Sequence, residues 1–595
     1  MKKLSKLIAG VMAISAIFSM TACMGESDID IDKNKTQIYI AGYDGGVGNA
    51  WLDDLANEWN ANNDAYQIIQ IPTRISQKDL SNSINTGVTD YDVYFTGDVG
   101  YVSNIYNGTL EDLSDVGAMK VDGNDRTILQ KIGYRDDYYE TVWKPVASKN
   151  GQGLYMLPYC DNFGGFIFDY NTFVEKGILS FAQASDTNVK SALTAQGISY
   201  TESNGKLKVS GYTGSYDLFN YKTGDYILTA GKDGLYGTYD DGQPTTQAEW
   251  DQMLARITGA NMKPFLWTGG YPEYADMILE SLFAYYAGMS EFNTYYNFNG
   301  QVTVNGAKVN ITPDNGYDVY GIDAMRNALN FMNDYLNNSN YYHSKTTTSD
   351  SHTDAQGTFI LGYKQNKDQP AMIVEGNWWE NEARSVFDTS EVVNAGRGYG
   401  QRDYRYMLLP KLSGAYGLDG NGNGSIMSVI NSGAVLVPKV GDSEAEQAKL
   451  AQIKDFLGFM LKDENLAKFT VKTGVINAYS YELTKAQFDS LTPFSKNVYA
   501  MIHDKTNIDF ARGALMFAGQ PVRFATNGGF FTMPRLITYN KVSHTASMIA
   551  LRQGVTPEQL MSGAVSYYSH DTFKGATTVK WETLIAQARE SGFYK

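Results

Sequence analysis

Residues 37–63 have the sequence QIYIAGYDGGVGNAWLDDLANEWNANN, and this stretch determines the predicted fold. A short apolar run is followed by a glycine-rich turn and then by a helix with Trp51, Leu52, Leu55 and Trp59 at helical spacing. The chain continues with YQIIQIP as a second strand and with YDVYFTGDVGYVSNIYNGTLEDL as a third strand, a turn and another helix. Strands that alternate with helices predict a parallel sheet with crossover helices, so the fold class is α/β.

The turns after these strands are candidate ligand contacts. In parallel α/β sheets, ligands bind beyond the carboxyl ends of the strands. Tyr43 and Asp44 follow the first strand, and Asp98 follows the third. We therefore expect these side chains to lie at the same edge of the sheet.

The N-terminus has the pattern of a secretory signal. Residues 1–23, MKKLSKLIAGVMAISAIFSMTAC, begin with three lysines and continue with an apolar run that is too short to span a membrane as a helix. Cys23 follows Met-Thr-Ala, which resembles the bacterial lipobox, although Leu is more usual than Met20 three residues before the cysteine. We predict cleavage of residues 1–22, lipidation of Cys23 and a polar tether over residues 23–36; two acyl chains suffice for stable anchoring.

Composition excludes several classes of protein. The chain has 595 residues and a net charge of −16, and nucleic-acid binding would instead need clustered Lys and Arg. Cys160 is the only cysteine after Cys23, so the mature chain contains no internal disulfide. The stability of its fold must therefore come from hydrophobic cores. A chain of this length predicts two or more such cores.

The paired tryptophans of AMIVEGNWWENEARSVF, residues 371–387, predict a strand that leads into a helix. AMIV has the pattern of a buried strand, and Asn377 with Glu380 three residues later could form a capping box. Trp378 and Trp379 would then be the first two helical residues, about 100° apart, so both rings cannot lie flat on one ligand. We expect Trp378 to face a ligand, and Trp379 to lie closer to the interior or to extend the aromatic platform.

A polar segment over about residues 180–242 is predicted to be an insertion. It ends in KDGLYGTYDDG, where Asp233, Asp240 and Asp241 lie in a glycine-rich turn whose oxygens could hold calcium; the alternative is a flexible turn. A second loop, DGNGNG, places Asp419 at the first position of an EF-hand pattern. The twelfth position is Ile430 instead of the glutamate that calcium requires, which argues against the second loop.

Motifs of catalysis are scarce. The sequence contains no G-x-S-x-G, H-E-x-x-H, P-loop or G-x-G-x-x-G motif, and its five histidines are scattered singly. A pair of glycosidase carboxylates is defined by its separation in space, so the sequence leaves that possibility open. These observations favour a protein without catalytic activity.

Several segments, in this order, resemble the extracellular solute-binding proteins of carbohydrate ABC transporters, the group that includes the maltodextrin-binding protein. They are GLYMLPYCDNFGGFIFDYNTFVEKGI, TQAEWDQMLARITG, TFILGYKQNKDQPAMIVEGNWW, and SGAVLVPK followed by AKLAQIKDFLGFMLKDENLAKFTVKTGVINA. The resemblance extends over most of the mature chain. It implies two α/β lobes joined by a hinge, with a ligand cleft between them.

The resemblance also implies where the lobes begin and end. The chain would cross between them near residues 157–158, 429–434 and 475–479. Lobe one would then comprise residues 37–157 with 430–476, and lobe two residues 158–429 with 477–595. The polar insertion would belong to lobe two.

Site residues carry over from the family only in part. Its first-strand loop matches Tyr43 and Asp44, its second polar loop matches Tyr94 and Asp98, and its stacking tryptophan matches Trp378. Trp267 and Tyr271, in the loop LWTGGYPEY, are added from their own chemistry. A sugar ring has an apolar face and a belt of hydroxyls, so aromatic rings combined with carboxylates provide suitable partners.

The implied function is capture of an oligosaccharide outside the cell and its delivery to an ABC permease in the membrane. We expect a lipid-anchored monomer without enzymatic activity that requires no cofactor, apart from a possible structural calcium ion. The alternatives are a cell-surface glycoside hydrolase or lyase, and a surface lipoprotein that binds peptides or mediates adhesion without transport.

Overall fold

The structure is a computed structural model. It describes residues 31–73, 77–97, 102–121, 123, 125–133, 146–148, 151–214, 218–512, 546–569, 573–574 and 578–579. The predicted signal peptide, Cys23 and Asp98 lie outside the described residues.

A nine-stranded mixed sheet forms the centre of the molecule. Its strands in chain order are β1 (Thr36–Tyr43), β2 (Tyr66–Thr73), β3 (Val93–Thr96), β4 (Leu157–Asp169), β5 (Met262–Leu266), β6 (Gln369–Gly376), β7 (Tyr404–Met407), β8 (Ser425–Leu436) and β9 (Ile508–Arg512). The spatial order is β2-β1-β3-β8-β4-β6-β5, with β9 paired to β8 and β7 paired to β4. Strand β1 runs parallel to β2 and β3, as the sequence predicts, whereas β8 is antiparallel to both β3 and β4.

Two long strands, β8 and β4, connect the two halves of this sheet, which are β2-β1-β3 on one side and β6-β5 on the other. The first half of β4 pairs with β8, and its second half lies between β6 and β7. Strand β8 likewise pairs with β9 at its start and with β3 at its end. The β4–β8 pairing has register shifts near Val429 and Gly433, where such irregularities bend a sheet. Two of the chain crossings implied by the resemblance lie on these strands.

Nineteen helices surround the sheet in the part of the chain that the structure describes. Before β6 they are α1 (Ala50–Asn60), α2 (Gln77–Thr86), α3 (Val102–Asn107), α4 (Ser114–Gly117), α5 (Tyr170–Glu175), α6 (Thr187–Ala195), α7 (Gln247–Gly259), α8 (Asp276–Asn297), α9 (Asp323–Phe331) and α10 (His352–Ile360). After β6 they are α11 (Trp379–Glu382), α12 (Arg384–Phe387), α13 (Ser390–Asn394), α14 (Glu444–Met460), α15 (Asp463–Thr473), α16 (Lys485–Ser490), α17 (Pro493–His503), α18 (Ser547–Arg552) and α19 (Pro557–Ser569).

The remaining short elements are hairpins and single turns. The paired strands are Val146–Ser148 with Gly151–Gly153, Ile198–Ser203 with Lys206–Tyr212, Gly300–Val304 with Ala307–Ile311, and Phe573–Lys574 with Thr578–Val579. Turns of 3-10 helix cover Leu129–Lys131, Pro272–Ala275, Pro313–Gly321, Ser344–Thr347 and Leu361–Lys364, and a π-helical turn covers Met332–Leu336.

Aromatic contacts connect distant segments in the first half of the sheet. The Trp51 ring of α1 lies 5.7 Å from Phe95 of β3, 5.8 Å from Tyr159 of β4 and 4.8 Å from Phe469 of α15, measured between ring centroids. Residues far apart in the chain therefore share one core, which is why α15 belongs with the N-terminal strands. A second core packs around Trp250 of α7, between β4 and β5.

The predicted helix after the first strand is confirmed in detail. The apolar face predicted for α1 is buried, including Trp51 and Trp59. Helix α14 begins with a capping box, in which the side chains of Ser443 and Glu446 each accept a hydrogen bond from the other residue's backbone N–H group. The segment predicted to be a polar insertion contains α6 and the hairpin of Ile198–Ser203 with Lys206–Tyr212.

Within the described ranges, no helix combines the length and the apolar character needed to cross a membrane. Cys160 is a free, buried thiol on β4.

Candidate functional site

The two halves of the sheet meet directly at a glycine-rich loop and a short helix. The loop of residues 44–48 follows β1, and α11 follows β6. The side-chain amide of Asn381 donates to the carbonyl oxygens of Gly46, at 2.7 Å, and Val47, at 3.0 Å. The candidate site is therefore built from both halves, at the boundary between them.

Trp378 lies at this boundary and is only partly buried. A Cβ atom added to Gly46 would lie 2.3 Å from Cδ1 of the indole, and one added to Gly376 would lie 2.1 Å from Cζ3. The ring thus occupies the space that side chains at those two positions would need. It also packs against both hydrophobic cores.

The start of α11 differs from the sequence prediction. Asn377 is buried and bonds strand β4, donating to the carbonyl oxygen of Asp161 at 2.9 Å and accepting from the backbone N–H of Phe163 at 3.4 Å. Trp378 is the N-cap residue, without a side-chain cap, and the helix begins at Trp379. The predicted capping box is wrong because Asn377 is committed to the strand instead of the helix.

Trp379 lies in the interior. Its ring is fully buried and makes edge contacts with Phe359, Phe387, Tyr404 and Phe494, at centroid distances of 5.1 to 5.9 Å. Trp379 therefore lies in the interior, which is the first of the two alternatives predicted for it, and it does not extend an aromatic platform beside Trp378.

Tyr43 ends β1 and remains 36% exposed. Cβ atoms added to Gly45 and Gly97 would lie 2.3 and 2.6 Å from its Cε1, so the ring rests against glycines at the ends of two strands. Asp44 follows it, partly buried, and its backbone N–H donates to the Thr73 carbonyl at 2.8 Å. The edge predicted from the alternation of strands and helices thus carries an accessible aromatic ring and a carboxylate.

On the opposite half, an aromatic and acidic cluster contains Tyr271. This side chain is 47% exposed, and its ring lies 5.8 Å from the imidazole of His352. Tyr274 stacks nearly parallel to the same imidazole at 6.3 Å, and Nε2 of His352 lies 3.5 Å from a carboxylate oxygen of Glu382. Tyr274 and Glu382 belong to two stretches singled out from sequence, LWTGGYPEY and AMIVEGNWWENEARSVF, but no sequence pattern indicates their contact with His352.

Two carboxyl groups of this cluster share one donor. The side-chain amide of Gln356 donates to Glu382 at 2.7 Å and to Glu375 at 3.2 Å. Burial, together with the neighbouring charge of Glu382, raises the pKa of Glu375 well above its usual range. Burial also raises the pKa of Tyr274, with Glu375 and Glu382 as further causes. The raised pKa favours the protonated form of the buried Glu375, whereas the partly buried Glu382 and Tyr274 provide oxygens that can accept hydrogen bonds from ligand hydroxyls.

Tyr94 and Trp267 are buried instead of facing a cleft. Tyr94 is 3% exposed, and its hydroxyl accepts from the backbone N–H of Tyr91 at 3.4 Å; burial raises its pKa to about 12. Trp267 is fully buried beneath Tyr342 and the guanidinium of Arg552, which lies 5.0 Å from the indole centroid. These positions correct the sequence prediction, because both rings are covered by other parts of the chain.

The carboxylates in the acidic loop of the insertion accept hydrogen bonds mainly from other groups of the same loop. Asp240 is completely buried and accepts from the backbone N–H of Lys232 at 2.6 Å and from the Thr238 hydroxyl at 2.9 Å. Asp241, also buried, accepts from the backbone N–H of Gly237 at 2.6 Å. Asp233 accepts from the backbone N–H of Leu235 at 2.7 Å.

This arrangement gives calcium no support. Among the described residues, no group of three or more His, Cys, Asp or Glu side chains is placed to hold a metal ion. In the second loop, both carboxylate oxygens of Asp419 accept hydrogen bonds from Asn423, which holds the pKa of Asp419 low, at about 2. Calcium at Asp233, Asp240 and Asp241 stays a prediction from sequence; if the loop binds it, EDTA will lower the melting temperature.

Comparisons with known proteins identify the fold. No protein-family model matches the chain, and no curated protein matches it in sequence. Among solved structures, a chitin oligosaccharide binding protein has a TM-score of 0.51 at 13% identity, covering 90% of this chain and 98% of its own. The apo form of RafE from Streptococcus pneumoniae has a TM-score of 0.50 at 12% identity, covering 91% and 98%. The chain therefore has the two-lobe α/β fold of the periplasmic-binding-protein type, which these sugar-binding proteins share.

Proposed function

We propose that this protein captures an oligosaccharide between its two lobes and delivers it to an ABC permease. The observation that carries the proposal is the position of Trp378, a partly exposed indole at the lobe boundary. Tyr43 with Asp44 on one lobe and Tyr271 with Glu382 on the other add further rings and acceptors. Flat apolar surfaces bordered by carboxylates match the C–H faces and hydroxyl belt of a sugar ring.

The two lobes give a physical basis for capture and release. A ligand that contacts both lobes makes all its contacts only in the closed arrangement, so its binding shifts the population towards closure. Closure about a hinge is a known response of two-lobe proteins to their ligands. A permease that recognises the closed form would then receive only loaded protein.

The location of the protein belongs to the same proposal. The N-terminal sequence supports export, cleavage after residue 22 and lipidation of Cys23, which would hold the protein at the extracellular face of the cell membrane. Cys23→Ala should abolish the incorporation of radiolabelled fatty acid and release the protein from the membrane fraction. A Cys23→Ala variant that still carries the label would contradict the anchor.

Calorimetry on the chain without residues 1–23 tests the function. The panel should include chitin oligosaccharides, because a structural neighbour is described as binding them, together with α- and β-linked neutral oligosaccharides of several lengths. We expect saturable binding of at least one of these sugars without release of shorter products. Hydrolysis or elimination products would favour the glycoside hydrolase or lyase alternative, and no binding across the panel would contradict sugar capture.

A further inference from the structure

Glu382 lies on the same side of α11 as Trp378. Its backbone N–H donates to the Trp378 carbonyl at 3.0 Å, one helical turn away, and side chains one turn apart are neighbours on the surface of a helix. The Glu382 side chain is 19% exposed. A ligand that stacks on the indole is therefore within reach of this carboxylate.

Two residues of α10 hold the Glu382 carboxylate in position. His352 and Gln356 are one helical turn apart on α10. Nε2 of His352 lies 3.5 Å from one carboxylate oxygen, and the side-chain amide of Gln356 donates to the other oxygen at 2.7 Å. The amide is neutral, so of these two partners only His352 can balance the charge of Glu382, and only when its imidazole is protonated.

The same amide bonds a second carboxyl group and keeps an unused acceptor. Gln356 donates to Glu375 at 3.2 Å, and both side chains are buried. Oε1 of Gln356 is also buried, and it has no hydrogen-bond partner among the described residues. This oxygen belongs to the carboxamide that bonds both carboxyl groups, so it lies inside the cluster. Because buried polar atoms are nearly always hydrogen-bonded, an unused acceptor at this place points to a donor that a ligand brings.

The electrostatic environment of the cluster favours positive charge. Burial is the main cause that raises the pKa of Tyr274. Neighbouring groups raise it further, and these are, in order of effect, Glu375, Glu382, Glu273 and Tyr43. All four are acids, and Tyr43 comes from the other half of the sheet. An ammonium group is attracted both to carboxylate oxygens and to the faces of aromatic rings such as that of Tyr274.

We propose that the oligosaccharide captured by this protein carries a free amino group, and that Glu382 selects its ammonium form beside the sugar stacked on Trp378. This inference rests on the proposed function and names the class of substrate. An ammonium group supplies three N–H donors and a positive charge to a cluster of carboxyl groups with an unused amide oxygen. An N-acetylated sugar offers a single N–H and no charge there, and the carboxylates repel a sugar acid.

Calorimetry with sugars that share one backbone tests this preference. Chitosan, chitin and cello-oligosaccharides of equal length have the same β-linked backbone and carry an amino, an acetamido or a hydroxyl group at the same carbon atom. Maltodextrins and oligogalacturonates add neutral and anionic α-linked sugars. At mildly acidic pH, where the amino groups are protonated, chitosan oligosaccharides should bind roughly tenfold more tightly than their two neutral counterparts, as expected for one hydrogen bond to a charged group. Oligogalacturonates should not bind.

A charge-removing variant assigns the preference to Glu382. Glu382→Gln keeps the size of the side chain and an oxygen for the Gln356 amide, but it removes the negative charge. Its affinity for chitosan oligosaccharides should fall roughly tenfold, whereas that for chitin or cello-oligosaccharides should change much less. Glu391→Gln, at an exposed ion pair with Lys364, removes one acidic charge elsewhere and should match the parent. A thermal melt of each variant monitors the fold.

The outcomes separate the ammonium site from sugar capture. Equal affinity of the parent for chitosan oligosaccharides and their neutral counterparts would overturn the ammonium site, as would an equal loss for both kinds of sugar in Glu382→Gln. A parent that binds a neutral sugar of either linkage but no chitosan oligosaccharide would overturn it too, while sugar capture would stand. If no sugar of the panel binds the parent, the proposed function fails, and the inference that rests on it fails as well.

Discussion

Trp378 and Trp379 are adjacent in the chain, yet Trp379 is fully buried and Trp378 is partly exposed at the boundary between the lobes. Strand β6 ends just before them, and successive positions at the start of a helix point about 100° apart. One ring therefore packs in the interior against Phe359, Phe387, Tyr404 and Phe494, while the other lies against the loop that follows β1. The two residues should respond differently to the same substitution.

Trp378→Ala should weaken sugar binding much more than it affects folding. The variant loses the stacking surface at the lobe boundary, which we expect to cost about 1 to 2 kcal/mol of binding free energy, or roughly 5- to 30-fold in affinity. Calorimetry with the best ligand of the panel measures the change, and a thermal melt monitors the fold. Full affinity in this variant would refute the assignment of Trp378 to the site.

Trp379→Ala should instead cost stability. Deleting a fully buried indole that contacts four aromatic rings should lower the free energy of unfolding by about 3 to 5 kcal/mol. Trp379→Phe retains an aromatic ring in the same pocket and should lose much less. Denaturant unfolding of both variants provides the comparison, and equal stability of Trp379→Ala and the parent would contradict the burial of the ring.

The alternation of strands and helices was sufficient to predict the α/β class, because periodicity is a local property of the chain. The antiparallel pairing of β8 with both β3 and β4 did not follow from it, since β8 comes from a segment far along the chain. The same limitation applies to side chains. Sequence identifies Trp267 as an aromatic residue after a strand, but only the fold brings Arg552 and Tyr342 over its ring.

The candidate site was predictable where one segment supplies it and unpredictable where several do. Tyr43, which the strand-end rule selected, and Tyr271, which was selected for its aromatic chemistry, are both exposed. The contacts of His352 with Tyr274 and Glu382 join residues up to 108 positions apart and leave no pattern in the sequence. Asn377 shows a third case: its sequence context fits a helix N-cap, but its side chain donates to the Asp161 carbonyl of strand β4 instead.

Gly46→Ala should disturb the lobe boundary by steric means alone. The new Cβ would lie 2.3 Å from Trp378, so the loop or the indole must move. We expect roughly tenfold weaker sugar binding and a loss of about 1 to 3 kcal/mol in the free energy of unfolding, as for other overpacked sites. Gly357→Ala is the matched control, because a Cβ there meets nothing within 4 Å and the helical position favours alanine. Unchanged binding in Gly46→Ala would contradict the close approach of loop and ring.

Glu380 should make the stability of the protein depend on pH. The residue is buried beside Thr492, and burial raises its pKa from 4.5 to about 7. Between these two values the folded chain keeps the proton and the unfolded chain releases it, so the contribution of Glu380 to stability falls as the pH rises from about 4.5 to about 7 and is constant above that range.

Glu380→Gln removes this proton equilibrium while keeping the size of the side chain and an oxygen for the Thr492 hydroxyl. The stability of the parent relative to Glu380→Gln should therefore decrease by roughly 2 to 4 kcal/mol between pH 4.5 and pH 7.5, because each unit of pKa shift corresponds to about 1.4 kcal/mol. Denaturant unfolding at several pH values provides the two curves, and their difference cancels the contributions of the other acidic groups. Glu391→Gln, at an exposed ion pair with Lys364, should follow the parent across the range. Parallel curves for the parent and Glu380→Gln would show that Glu380 has the same pKa in the folded and unfolded chains, against the expected effect of its burial.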